Sequence, residues 1–401
     1  MSGCTKVLIA LITLATLFGN ASLAQTNYLI TNNDNPGWAN SASVFSIGEG
    51  GALTLVQTIA TGSSDVGAAY FGSTQVGILR SKTNHCAYIG DAYGKRYTDP
   101  ADVAAIDLTT LTLVGTYPGF PLDSGALEGV GLSETPNGTF LFAAFSLSDT
   151  ITTYQQEAGC KLKRLGQIIT VGARNNGPYS GGVQGMKVTP NGNFLILTYG
   201  DGSIGSYKID ANTGALQLVG RSLVADGGIA AGIDISSDSK WAVFGAANAS
   251  TAQIEVASIR ADGSLGPTHG YAGIGSGLNS SNVWFSPDET ILYIGNNSSG
   301  QITAVPFSRS EGAISAGQAC TSPVLTKFSS GRAFLTGLIG SSETPTGSPL
   351  YATASSEPGA IVIVNFEKPC TLKEASFSPV IDSGNTLGGL AGAGMDPPRS
   401  F

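Results

Sequence analysis

Short apolar runs alternate with polar turns along the chain, and one such unit recurs. The stretch Asn282–Val305, NVWFSPDETILYIGNNSSGQITAV, shows it best. Asn282–Phe285 is apolar-rich and stops at Ser286-Pro287-Asp288-Glu289, where proline fixes φ and aspartate bonds its own backbone. Ile291–Gly295 is a dense apolar run, Asn296–Gly300 a second turn, and Ile302–Val305 alternates apolar with polar residues. The pattern predicts three short β-strands joined by two tight turns.

Close copies are GVGLSETPNGTFLFAAFSLSDTITTYQ from Gly129, QGMKVTPNGNFLILTYGDGSIGSYKID from Gln184 and GIDISSDSKWAVFGAANASTAQIEVASI from Gly232. Turns such as Asn212-Thr213-Gly214 and Asp262-Gly263 then lead into a fourth strand, because Asn/Asp-Gly pairs accept the positive φ of a hairpin. Aligned on the first turn, the second strands begin near Tyr28, Ala87, Leu141, Leu195, Ala242, Leu292 and Leu350, about 47 to 59 residues apart. Four-stranded units at nearly that period are the mark of propeller blades, with loop insertions lengthening some.

The two ends complete the count. Asn27–Asn33 matches a second strand with no first strand ahead of it, and GNTLGGLAGAGMDPP at the other end matches a first strand and its turn. The expectation is an all-β fold: a single seven-bladed β-propeller of four-stranded blades over residues 25–401. Leu387–Met395 should pair with Tyr28–Asn32, closing the ring and removing open sheet edges. No helix is expected after the N-terminal segment, since Gly, Asn and Thr recur too often.

Composition agrees: 55 glycines and only 12% charged residues suit many short strands with tight turns. A net charge of −8 weighs against a nucleic-acid or anionic-membrane partner. Residues 1–24 read as a signal peptide: Lys6, the apolar run Val7–Phe18, then Ser22-Leu23-Ala24 with cleavage before Gln25. The run is too short to span a bilayer. The chain is therefore expected to be secreted or periplasmic, and monomeric. Of the remaining cysteines, Cys86, Cys160, Cys320 and Cys370 allow three disulfide pairings. Cys160 and Cys370 sit in similar hairpin turns, and a buried free thiol is the alternative for Cys86.

The units SPDETILYIGNNSSGQITAV and TPNGNFLILTYGDGSIGSYKID resemble blades of the lactonase-like group of seven-bladed propellers. That group includes bacterial 6-phosphogluconolactonases, muconate cycloisomerase-type enzymes and YVTN-repeat surface proteins. The resemblance implies an Arg-His pair just before the first strand of a central blade, and a Glu following an Asn at the end of a second strand. Here the fourth unit has Gln184 and Gly185, then Tyr199 and Gly200, at those places. In the sixth, Asn282 takes the His place and Asn296 is followed by Asn297.

Lactone hydrolysis needs a base for water and donors for the developing oxyanion. The two histidines, His85 at the start of an apolar strand and His269 in an outer-strand position, fall elsewhere, so no catalytic residue is assigned. Candidate ligand-binding residues are Glu128 with Asp123 near it, Gln184, Asn282, and Arg174, Asn176 and Tyr179 of the segment Gly172–Tyr179. An arginine there suits a small anionic ligand, with a glycan or protein at the channel mouth as the other partners. No phosphate-cradle glycine loop, H-E-x-x-H or C-x-x-C occurs, so neither cofactor nor metal is expected. The cationic loop DAYGKRYTDP, residues 91–100, reads as solvated. The expected function is a non-catalytic binding or interaction module working through the channel mouth and loops; the alternative is a lactone hydrolase or cycloisomerase with a carboxylate/arginine site.

Overall fold

A computed structural model describes residues 27–33, 40–62, 78–91, 100–121, 130–145, 148–170, 182–223, 229–247, 254–274, 280–296, 299–325, 334–355, 359–381 and 390–396. The N-terminal segment read as a signal peptide lies outside them. Seven antiparallel sheets follow one another. Each takes its four strands in chain order except the first, whose order is Leu53–Ala60, Ser41–Ile47, Tyr28–Asn33 and Leu390–Asp396. Leu29 pairs with Met395 and Ile30 with Gly394, so the C-terminal strand completes the N-terminal blade as expected. In blades 6 and 7 the outer strand is split into two short pieces. The only helical turns among the described residues are two short 3-10 segments, Glu49–Gly51 and Ala316–Gln318.

The inner strands of blades 1 to 7 are Leu390–Asp396, Ile78–Arg80, Val130–Glu134, Val183–Val188, Ile229–Ile235, Ser280–Phe285 and Phe334–Gly340. Each touches the next around the ring, the last touching the first. The seven positions read from sequence as second-strand starts all fall in second strands.

Those second strands are apolar throughout because successive side chains enter two different inter-blade layers. Ile30 packs toward blade 2 and Leu29 toward blade 7; Ala87 and Ile89 face blade 1, whereas Cys86 and Tyr88 face blade 3. Each of the seven apolar clusters joins two adjacent blades. Outer strands such as Leu53–Ala60 alternate instead, since water covers part of their surface.

The turn after the inner strand is built alike in blades 3 to 6. The hydroxyl of Thr135, Thr189, Ser236 or Ser286 accepts from the N–H of Phe140, Phe194, Trp241 or Ile291 at 3.0 to 3.1 Å. Asn137, Asn191, Asp238 or Asp288 accepts from the N–H two residues on, the Asx-turn bond that favours these types here. The fourth turn position has positive φ, taken by Gly138 and Gly192 but by Ser239 and Glu289 in blades 5 and 6. Glu289 is held there by its carboxylate, which accepts from the Ser237 backbone at 2.5 Å and its hydroxyl at 3.0 Å.

On the same face, the turn between third and outer strands lies against the start of the preceding blade's second strand. Gly214 sits on Phe140, Gly263 on Phe194, Gly312 on Trp241 and Gly51 on Pro349, so closely that an added Cβ would fall within 3.0 Å of the ring. Between blades 2 and 3 that contact is a disulfide, Cys86–Cys160, with Cys160 at φ 62°. Cys320–Cys370 ties blade 6 to the corresponding turn of blade 7. Cys86 is thus no free thiol, and both bridges are clamps between neighbouring blades.

Buried phenols cross the same junctions. Tyr88 donates to Gln156 Oε1 at 3.0 Å, Tyr293 to Thr346 O at 2.7 Å and Tyr351 to Gly51 O at 3.2 Å. Burial pushes all three above the ordinary 10.0, helped at Tyr88 by Glu134.

Two outcomes follow from these junctions. Reducing both disulfides should lower the melting temperature measured by circular dichroism, because a bridge spanning 74 residues contributes about 4 kcal/mol in the chain-entropy account; an unchanged midpoint would show the clamps to be idle. The tyrosines, neutral when folded and raised above their unfolded value, contribute stability that is whole below pH ~10 and lost above it at about 1.4 kcal/mol per group per pH unit. The part of the 295 nm absorbance rise that comes from these buried phenols should therefore accompany loss of the fold on alkaline titration, rather than precede it.

Candidate functional site

The inner strands start at one mouth of the channel and run toward the turn face at the other. Near their starts the pairing with the second strand slips in blades 1, 4, 5, 6 and 7. The residues passed over are Ala391, Gln184, Ala231 with Gly232, Ser281 and Thr336. A bulge bends its strand and re-aims the extra residue, and such features gather next to binding sites. Bulges at one level in five of the seven blades distinguish this mouth from the opposite end.

Of the residues singled out in the sequence, Glu128, Arg174, Asn176 and Tyr179, like Asp123, lie outside the described residues. Gln184 is the bulged residue of blade 4 and is buried. Asn282 lies at the corresponding level of blade 6 and is fully buried, its Nδ2 donating to the Leu335 carbonyl of blade 7 at 3.3 Å. Blade 5 stands between these two strands. Tyr199 is also enclosed, its hydroxyl 3.1 Å from that of Tyr207; burial first, and then the second phenol, raise it well above the ordinary value. The Arg221 guanidinium lies 4.9 Å from the Tyr199 ring centroid and pairs with Asp201 at 2.7 Å.

Both histidines fall where the sequence put them. The Nδ1 atom of His85 is 3.4 Å from Arg80 Nη2 at the turn face, and His269 stacks edge-on against Tyr271 in an outer strand.

Carboxylates at the mouth escaped the sequence reading. Asp91 and Asp102 face each other across the second and third strands of blade 2, and both are buried. Buried carboxylates require donors; Asn40 of blade 1 supplies one to Asp91. Next to them the Asn32 amide donates to the Gly90 carbonyl at 3.2 Å. These two aspartates bracket the loop read as cationic and solvated; a pair of acids flanking a basic loop was the available signal. Glu255, at the mouth end of blade 5's third strand, is likewise fully buried. Carboxylates can take a proton, and amides and guanidinium can hold an oxyanion, so the mouth has parts for acyl chemistry and for binding alike.

Residues 132–278 match the family described as "Lactonase, 7-bladed beta-propeller". Among solved structures, a candidate 6-phosphogluconolactonase from Bacteroides fragilis is similar at TM-score 0.68 and 17% identity, over 93% of this chain and 99% of that one. Another from Bacteroides uniformis gives 0.67 and 14%, over 90% and 97%. The periplasmic gluconolactonase of Pseudomonas aeruginosa gives 0.54 and 16%, over 72% and 80%. At such identities the structures speak for the fold. No curated protein matches the chain by sequence.

Replacing Asn282 by Ala should remove the buried hydrogen bond to the Leu335 carbonyl that joins blades 6 and 7, at a cost of about 1–3 kcal/mol. Chemical denaturation of Asn282→Ala measures it; stability equal to wild type would free Asn282 from its joining role.

Proposed function

We propose, for a chain that is a seven-bladed β-propeller of the lactonase-like group, that it opens a lactone of a small sugar acid at the bulged channel mouth. The observation that carries this reading is the set of bulges in five blades, at the level where the family resemblance places its site residues and where this chain has Gln184 and Asn282 instead. In the reaction Glu128 accepts a proton from water as that water attacks the lactone carbonyl. Arg174 and neighbouring amide donors hold the oxyanion, and the proton passes to the ring oxygen as the C–O bond breaks. Tyr179 and Gln184 position the sugar hydroxyls. The reading includes export, which the two disulfides support because they persist in oxidising compartments.

A second reading, binding at the mouth without chemistry, draws on one specific observation: neither histidine is on an inner strand, His85 standing at the turn face and His269 in an outer strand. In that case the same residues would hold a small anion, a glycan or a protein loop.

A pH-stat screen of purified protein against aldonolactones and simple γ- and δ-lactones separates the two. The hydrolase reading expects turnover above buffer that falls about 100-fold or more in both Glu128→Gln and Arg174→Ala. Wild-type rates indistinguishable from buffer would leave the binding reading standing.

A further inference from the structure

On the turn face, away from the channel mouth, blades 5 and 6 enclose a cleft of 480 Å³. It is lined by Trp241, the first residue of blade 5's second strand, and by Phe307. The rim carries Asp238, Lys240, Asp288 and Arg309.

The position of Trp241 is occupied elsewhere by a smaller ring serving the junction alone. Phe140 and Phe194 are 3% and 5% exposed under Gly214 and Gly263. Trp241 keeps the same contact, with Gly312 flat against its six-membered ring, yet is only partly buried. Its indole N–H donates to the Arg309 carbonyl at 2.8 Å, fixing the ring's orientation. A rigid, partly exposed indole at the wall of a cleft is a stacking surface already in place.

The polar groups around it are of both kinds. Glu289 is used up: it accepts from Ser237 and from Arg309, whose Nη1 lies 3.2 Å away. Asp238 gives one oxygen to Ser236 and the Lys240 N–H, while Lys240 Nζ stands 3.9 Å from the other. Asp288 receives Ser286 and Thr290 on Oδ1, and these bonds outweigh its partial burial and hold it below the ordinary carboxylate value. It is ionised at neutral pH, with Oδ2 turned to neither of those donors. With Arg309 paired to Glu289, the exposed groups left are Asp238, Asp288 and Lys240, so acceptors and a donor both face the cleft. An apolar plane ringed by both donors and acceptors matches a pyranose, whose C–H face stacks on an aromatic ring while its hydroxyls both donate and accept.

We propose that this cleft binds a neutral pyranoside, stacked on Trp241 and held through Asp288, Asp238 and Lys240, at a site separate from the channel mouth. The test is titration of the purified full chain with methyl glucopyranoside, galactopyranoside and mannopyranoside, read by saturation-transfer NMR. At least one glycoside should bind saturably with a millimolar Kd. Trp241→Phe, which installs the ring already used by blades 3 and 4, should weaken it about tenfold, and Asp288→Asn about fivefold. No saturable binding by the wild type would overturn the proposal. So would affinities unchanged in both variants, which is also what a glycoside held at the channel mouth would give. Saturable binding of an oligolysine peptide but of none of the glycosides would overturn it in favour of a cation on the indole.

Discussion

Each blade has two apolar faces and can cover neither of them by itself. Ile30 and Leu29, adjacent in one strand, enter different layers, and the same division holds in every second strand. The chain meets this constraint only by bringing its last blade against its first. The pairing of Tyr28–Asn33 with Leu390–Asp396 is therefore the contact on which the others depend, since without it two apolar faces and two strand edges would meet water.

Around the ring the junctions are variations on one contact. The turn residue of one blade lies on the strand start of the blade before it, as glycine on phenylalanine, glycine on tryptophan, glycine on proline, or cysteine bonded to cysteine. Positive φ at these turns explains the glycines. Cys160 adopts it too, with the covalent bond replacing the ring contact. Because the turn face is given over to this packing, the opposite mouth is where inner strands bulge and polar groups gather. Fold and site are divided between the two ends of the same strands, with the blade 5–6 cleft as the place where the packing face keeps an open surface of its own.

The candidate site was legible only in part. Gln184 and Asn282 could be selected because they stand at register positions fixed by the repeat, and a register shift coincides with the first and adjoins the second. That Asn282 also joins blade 6 to blade 7 was not readable, because its acceptor, the Leu335 carbonyl, is 53 residues away in sequence. Asp91 and Asp102 were passed over since a loop of ten residues between strands gives no hint that its ends are opposed and buried. Trp241 looked like one more apolar strand residue.

By itself the sequence determined the class of fold, the number of blades, the strand starts and the closure through the two ends. All of these rest on local signals, turn chemistry and the period of apolar runs, repeated often enough to fix a register. The tertiary structure decided the disulfide pairing among three arrangements, the level at which the inner strands bulge, and which polar residues share a layer. Those depend on which blade faces which across the ring, and contacts between residues some 50 to 75 positions apart leave no mark on the local pattern.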